Sequence, residues 1–408
     1  MLSKLRVLEI SSPETMLAGQ LLADLGADVI VVEPPAGSAA RRLEPFVDDL
    51  PGLERSLVWL AYNRNKRGIT LDLRQPDGRA LLSQLSERCD VLLEAAHGGD
   101  APVEILPQAG SRLVRCVIRP FSGGSAKACY RSSDLIVTAA AGALGNMGDR
   151  DRPPTPFPVP QAMLEASGEA AVGILAALLA RADGSGEQLL EISARLASLF
   201  SSFGQPIWLA AGNREGERTG GVIRIGDVEM PPVYACRDGF AAVTVAFGPG
   251  FGTLTGSLAR WLGEQGQITE SVASTDWVSY PLDLLSGRAD LASLRELVTG
   301  IEQLCAQLTK QEIARAGRER GLLMAPVMEM GDIAESRQHA ERGLWEEMEL
   351  PVEGRRVKVP LRFAQFSDYS IEIRRPPPSL SQHTSALLEQ ELALSRDEIQ
   401  ALFVHGII

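Results

Sequence analysis

The chain has 408 residues, enough to bury a large core and to divide into two or more domains, and its 45% hydrophobic and 23% charged content is that of an ordinary globular protein. A net charge of −12 argues against nucleic acid or an anionic membrane as a general partner and makes any local basic cluster more informative. The 5 cysteines are scattered without Cys-x-x-Cys spacing and the 4 histidines lie far apart, which excludes a disulfide frame and a zinc site, so no metal is expected.

Leu5–Ile10 is a short apolar strand broken by Pro13. Met16–Leu25 then carries leucines at helical spacing as far as Gly26, and Ala27–Val32 is an apolar strand ending at Glu33-Pro34-Pro35. Strand, helix and strand within about 30 residues make a βαβ unit, hence a parallel sheet covered by helices. Ligands of such sheets bind beyond the carboxyl ends of the strands, where Pro34–Arg42 falls with Arg41 and Arg42. Asn63-Arg-Asn-Lys-Arg-Gly-Ile-Thr-Leu-Asp-Leu73 brings Arg64, Lys66 and Arg67 together ahead of Gly68. Ile69, Leu71 and Leu73 then alternate as in a half-buried strand. Cations delivered to the lip of a sheet suit a polyphosphorylated small ligand.

The spacing further predicts a helix over Asp77–Arg88 and strands over Asp90–Leu93 and Leu113–Ile118. It predicts a helix over Asp134–Leu144, a proline-rich connection over Asp149–Pro160, a long helix over Met163–Arg181 and a strand over Gln188–Ile192. His97, alone in a glycine-containing loop, reads as a surface histidine. After a connector from Ser201 to Arg224, Tyr234–Val245 reads as a hairpin turning at Arg237-Asp-Gly239, and Phe247–Gly252 as a flexible glycine-rich loop. Helices over Leu254–Leu262, Leu291–Val298, Ile301–Leu308 and Lys310–Arg320 complete a small α+β domain. Pro351–Phe366 alternates as a strand, and Ser395–Glu398 is a capping box ahead of a last helix, Asp397–Phe403. The opening residues carry no basic-then-apolar export signal and no run reaches the roughly 18 apolar residues of a membrane span, so a cytoplasmic protein is expected.

The run Asn63–Leu73 resembles the signature of the family III coenzyme A transferases, the group of carnitine CoA-transferase, formyl-CoA transferase and the α-methylacyl-CoA racemases. Val7–Ile10, Leu21–Pro35, Gly142–Gly148, Gly173–Arg181, Tyr234–Gly239, Ala325–Val327 and Pro376–Thr384 resemble the family in the same order. The resemblance implies a doubly wound, Rossmann-like α/β domain from residues 1–200 and 328–408, with a smaller α+β domain inserted at 201–327. It implies an interlocked dimer, acyl-CoA as substrate, and CoA contacts from Arg41, Arg42, Arg64, Lys66, Arg67 and Leu71. The small residues Gly168 and Gly173 suit close packing in such a dimer.

Two departures stand against the resemblance. Where the family continues into Asn-Phe and an Arg-Pro-Gly loop, this chain reads Glu94-Ala-Ala-His-Gly-Gly99, and Lys127 or Arg131 would have to compensate. The family's nucleophilic aspartate falls at Met163, or Leu164 with a one-residue slip; neither can attack a thioester, and the nearest carboxylate is Glu165. Two-subunit members such as the benzylsuccinate CoA-transferases pair a chain lacking the aspartate with one that has it. The expectation is therefore a non-nucleophilic subunit supporting CoA transfer between an acyl-CoA and a carboxylic acid. The alternatives are a self-sufficient transferase or racemase using Glu165, or a non-catalytic acyl-CoA binding protein.

Overall fold

The computed structural model describes residues 1–96, 113–182, 188–201, 204–212, 217–352 and 354–408. His97, Gly98 and Gly99 of the altered loop lie outside them. The chain forms two compact units, one of Met1–Asn146, Thr155–Gly216 and Gln338–Ile408, the other of Met147–Pro154 and Glu217–Arg337.

The larger unit is built on a six-stranded parallel sheet of β1 (Arg6–Ile10), β2 (Asp28–Glu33), β3 (Arg67–Thr70), β4 (Val91–Ala95), β5 (Val114–Arg119) and β6 (Gln188–Ser193). Its spatial order is β3-β2-β1-β4-β5-β6, so the winding reverses between β1 and β4, as in a doubly wound fold. Helices α1 (Met16–Asp24), α2 (Leu57–Tyr62), α3 (Pro76–Ser86), α4 (Asp134–Ala140), α5 (Gln161–Ala182), α6 (Ala194–Ser201) and α7 (Gly204–Gly212) complete its first two segments.

Strand alternation assigns the layers. Val7, Val29, Leu93 and Cys116 pack with Leu22 of α1 and Ala166, Ala170 and Ile174 of α5. Their neighbours Leu8, Ile30 and Leu92 face the other way, onto Leu82 and Leu85 of α3 and onto Leu387, Leu388 and Ile399 near the carboxyl terminus. Near-continuous apolar strands follow from burial on both faces.

The outer edge of β3 is sealed from far along the chain. Gly68 N–H donates to Nδ1 of His383 (3.1 Å), His383 N–H donates to the Gly68 carbonyl (2.9 Å), and Thr70 N–H donates to Oγ1 of Thr384 (3.0 Å). Ser381 adopts φ 62°, a left-handed backbone that favours glycine. Its hydroxyl donates to Thr384 Oγ1 (3.0 Å) and accepts from the Thr70 hydroxyl (3.1 Å), which offsets part of that cost.

His383 must be neutral to accept at Nδ1, and burial, then Arg67 and Arg375, hold its pKa below the usual 6.5. The unfolded chain therefore takes up this proton first, and stability is lost as pH falls from about 6.5 toward the folded-state value. Denaturant midpoints measured from pH 8 to pH 5 should show this decline. His383→Asn keeps an acceptor without a titrating group, and should flatten that part of the profile.

The smaller unit holds an antiparallel hairpin of β7 (Ile223–Ile225) and β8 (Val228–Met230), and an antiparallel sheet of β9 (Val233–Cys236), β10 (Gly239–Val243) and β11 (Met324–Pro326). Phe247–Gly252 is not a loop. Helix α8 (Gly248–Glu264) begins there, with Pro249 in its first turn and Gly252 pressed on Trp277, whose carbonyl oxygen would lie 2.6 Å from an added Cβ. Glycine here serves close packing between backbones, and Phe247 is held in the cluster of Trp277 and Tyr280. Pro351–Phe366 is likewise not one strand: Trp345–Glu349 and Arg356–Pro360 pair antiparallel, with the turn between them. The capping box at Ser395 and Glu398 is formed on both sides.

Candidate functional site

The basic signature is placed by its ion pairs. Arg41 and Glu33 are both fully buried; Nε and Nη2 of Arg41 donate to the two oxygens of Glu33 at 2.7 and 2.9 Å. Its remaining N–H groups go to Glu54 (2.8 Å) and to the carbonyls of Leu53 (3.1 Å) and Pro378 (2.9 Å), so every donor of the guanidinium is used. The plane also lies 3.9 Å over the ring of Trp59.

Arg64 is nearly buried against Asp24, the last residue of α1, and Arg67 donates to Asp28, the first of β2. Both lie at the end of the sheet where strands begin, opposite the carboxyl ends where such folds hold ligands. Lys66 is fully buried, with Nζ 2.8 Å from Glu9 and 2.9 Å from the Met16 carbonyl and from Oδ1 of Asn63. Burial pushes Glu9 up and Lys66 down from their ordinary values, and their mutual attraction opposes both shifts. Helix α1 crosses this pair at Gly19, where a Cβ would stand 1.9 Å from the Glu9 carboxylate.

Leu71, also buried, follows the end of β3. The exposed Arg42 differs from the others. It bonds only carbonyls, of Gly37 and Ser38 at 3.0 Å and Ala36 at 2.7 Å, and keeps donors for a further partner. Arg41, Arg64, Lys66 and Arg67 thus hold the frame, each against its own carboxylate, and of the expected phosphate ligands Arg42 alone faces solvent with its charge uncompensated by a described carboxylate. In the altered segment, Glu94 is buried at the end of β4 and paired with Arg115 (2.8 Å).

The second part of the site is the start of α5. Asp134, the first residue of α4, receives Gln161 N–H on Oδ2 (3.2 Å) and Met163 N–H on Oδ1 (3.0 Å). One carboxylate thereby caps a 22-residue helix at its positive end. Asp134, Leu135, Thr138 and Phe157–Gln161 line a cleft of about 210 Å³. Met163, where the resemblance would put the family's nucleophile, is 9% exposed and its side chain joins the core with Val137 and Ala166.

Glu165 lies two residues, about 200° of helix, further round. Its carboxyl turns to Ser198 and Ser201 of α6, its pKa is raised by burial, with Asp134 adding a smaller push upward, and Oε2 is buried without a hydrogen-bond partner. The structure therefore brings Met163 and Asp134 together and turns Glu165 aside. Nothing in the sequence periodicity marks Asp134 as facing α5; the one signal is an acidic residue opening a helix beside a proline-rich run. Gly173 accommodates Leu190 of β6, whereas Gly168 faces open space. Among the described residues no group of three His, Cys, Asp or Glu could hold a metal ion.

The profile of CoA-transferase family III matches residues 2–384, and the chain belongs to that family. It is similar to the subunit BbsE of succinyl-CoA:(R)-benzylsuccinate CoA-transferase from Thauera aromatica, 28% identical over 395 residues, which cover 95% of this chain and 93% of that protein. It is also similar to formyl-CoA:oxalate CoA-transferase from Rhodopseudomonas palustris (strain BisA53), 27% identical over 423 residues and covering 95% and 92%. The solved structure of a CAIB/BAIF family protein from Brucella suis shares the fold at a TM-score of 0.76 and 24% identity, covering 96% of this chain and 99% of that one. Acyl-CoA is accordingly the substrate class, and CoA transfer the chemistry.

Proposed function

We propose that this chain is the non-nucleophilic member of a two-chain family III CoA-transferase, supporting CoA transfer between an acyl-CoA and a carboxylic acid in the cytoplasm. The observation that carries the reading is Met163, whose side chain is packed in the core and whose amide is already bonded to Asp134. Transfer by this class needs a carboxylate that attacks the thioester, forms an acyl anhydride and then carries CoA as its own thioester. At the start of α5 the described carboxylates are Asp134, spent on the helix amides, and Glu165, turned to α6. The similarity to a protein that is itself a subunit agrees with this.

The CoA phosphates are met in this reading by Arg42 beyond the carboxyl end of β2, aided by Lys127 and Arg131 beyond β5, while the buried cations keep the strands in register. The partner is a related chain that carries the aspartate, in an interlocked dimer. Purified alone, the protein should show no turnover of succinyl-CoA with a panel of free carboxylic acids. Co-expressed with an aspartate-bearing family chain from the same genome, it should copurify and the complex should turn over. Robust turnover by the homogeneous single chain would refute the reading.

A further inference from the structure

Strand β5 ends at Arg119, and the chain then runs through a string of tight turns toward α4. Ser125 N–H donates to the Ser122 carbonyl (3.0 Å), Ala128 N–H to that of Ser125 (3.0 Å) and Tyr130 N–H to that of Lys127 (2.9 Å). Phe121, 3% exposed, roots this loop in the fold, and Tyr130 meets it in a T-shaped contact, ring centres 6.2 Å apart and planes at 76°. The Lys127 ammonium lies 5.9 Å from the centre of the Phe121 ring. The contact holds Tyr130 without covering it, for 53% of the residue stays exposed. An aromatic ring fixed in place and left open forfeits burial that a flat ligand would restore.

The surroundings of the ring select the ligand. The loop leaves the sheet beside the end of β4, since Ala96 N–H donates to the Ile118 carbonyl (3.0 Å), and so stands where a doubly wound sheet holds its ligand. Lys127 and Arg131 flank Tyr130 in sequence. Both are exposed and neither is paired with a described carboxylate, in a chain whose net charge is −12. An open ring between two uncompensated cations matches a purine base that carries phosphates, and CoA ends in such a group, an adenosine phosphorylated on both sides of its ribose. Phe157 is exposed too, but the cleft it lines with Leu135 and the prolines holds no cation.

We infer that Tyr130 is the platform on which the adenine base of CoA stacks, with Lys127 and Arg131 on the phosphates of the same nucleotide. The inference rests on the CoA contacts proposed above and adds recognition of the base to them. Discrimination between CoA and pantetheine thioesters that lack the nucleotide then belongs to this loop. The ring, rather than the hydroxyl, does the recognising, because stacking uses the π face.

The test is calorimetry with CoA, with adenosine bisphosphate (the nucleotide half of CoA) and with pantetheine. The wild-type chain should bind CoA and the bisphosphate. Tyr130→Ala should weaken both by about tenfold or more without changing the response to pantetheine, and Tyr130→Phe, which keeps the ring, should recover the loss. Cys129, next to the platform and the one exposed member of the 5 cysteines, reports on the unaltered protein. Saturating bisphosphate should slow its alkylation by iodoacetamide, read by mass on the peptide that holds it. Binding of CoA and bisphosphate by Tyr130→Ala at the wild-type level would overturn the assignment. So would a wild-type chain that binds CoA while the bisphosphate neither binds nor protects Cys129, a result that leaves the CoA contacts of the proposed function standing. A wild-type chain that binds neither CoA nor the bisphosphate would remove the platform and those contacts together.

Discussion

Arg41→Ala is expected to destabilise the larger unit by about 3–5 kcal/mol, the cost of stranding a buried charge, while Arg42→Ala changes stability by no more than about 0.5 kcal/mol. The two arginines are adjacent in sequence and opposite in role. Removing Arg41 leaves the wholly buried carboxyl group of Glu33 without its bidentate partner, frees the Pro378 and Leu53 carbonyls, and uncovers the face of Trp59. Arg41→Lys should recover only part of the loss, because one ammonium cannot span both oxygens of Glu33 and also reach the carbonyls. The measurement is urea unfolding of each single variant alongside calorimetric titration with CoA. The expected pattern is separable: Arg42→Ala folds normally and binds CoA at least about tenfold more weakly, and Arg41→Ala is recognised first by its unfolding midpoint. An Arg41→Ala protein of full stability that fails to bind CoA would return that residue to the ligand site.

In the proposed two-chain enzyme, Glu165→Gln is expected to leave turnover within a few-fold, whereas Asp→Asn at the nucleophile proposed for the second chain should lower it by more than about a hundredfold. The direction follows from helix geometry. Glu165 stands about 200° of helix from Met163, is set against Ser198 and Ser201, and is not among the residues that line the cleft of Asp134 and Phe157–Gln161, so it cannot approach a thioester there without rotating the helix. Rotation would tear Met163 and Ala166 out of the core and break the two amide bonds to Asp134. The amide isostere keeps the shape of the side chain against α6, so folding and assembly should be unaffected. Trapping with hydroxylamine after exposure to acyl-CoA checks the same point independently: modification should appear on the second chain's aspartyl peptide and be absent from the peptide holding Glu165. Modification of Glu165, or a reproducible hundredfold loss in the variant, would make this chain an enzyme in its own right.

What the sequence made legible divides along physical lines. The sheet was readable because buried parallel strands are continuous apolar runs and each is bounded by Gly, Pro or a charged turn; β1, β2, β4, β5 and β6 differ from their expected limits by a residue or two. The expected α5 begins two residues late because Gln161 and Ala162 carry no periodic signal and the capping carboxylate comes from another helix. Glycine-rich Phe247–Gly252 reads as a loop by composition, and is helix because Gly252 is needed for contact with Trp277. The largest gap concerns the basic run. Charge patterning reports where cations stand in the chain, but their partners Glu9, Asp24, Asp28 and Glu33 come from separate strands and helices. Local pattern cannot distinguish a cation awaiting phosphate from one already spent on a carboxylate.

The seal on β3 has a consequence for how the protein is made. Thr70 waits for Thr384, 314 residues later, before its N–H is bonded. At roughly 5–20 residues per second, translation leaves this edge open for about 15–60 s while the whole smaller unit emerges. An unpaired edge strand is a template for wrong partners. The nascent chain is therefore open to wrong pairing over that interval, and a ribosome stalled between Glu217 and Arg337 would release a product whose sheet is complete in sequence but raw along one side.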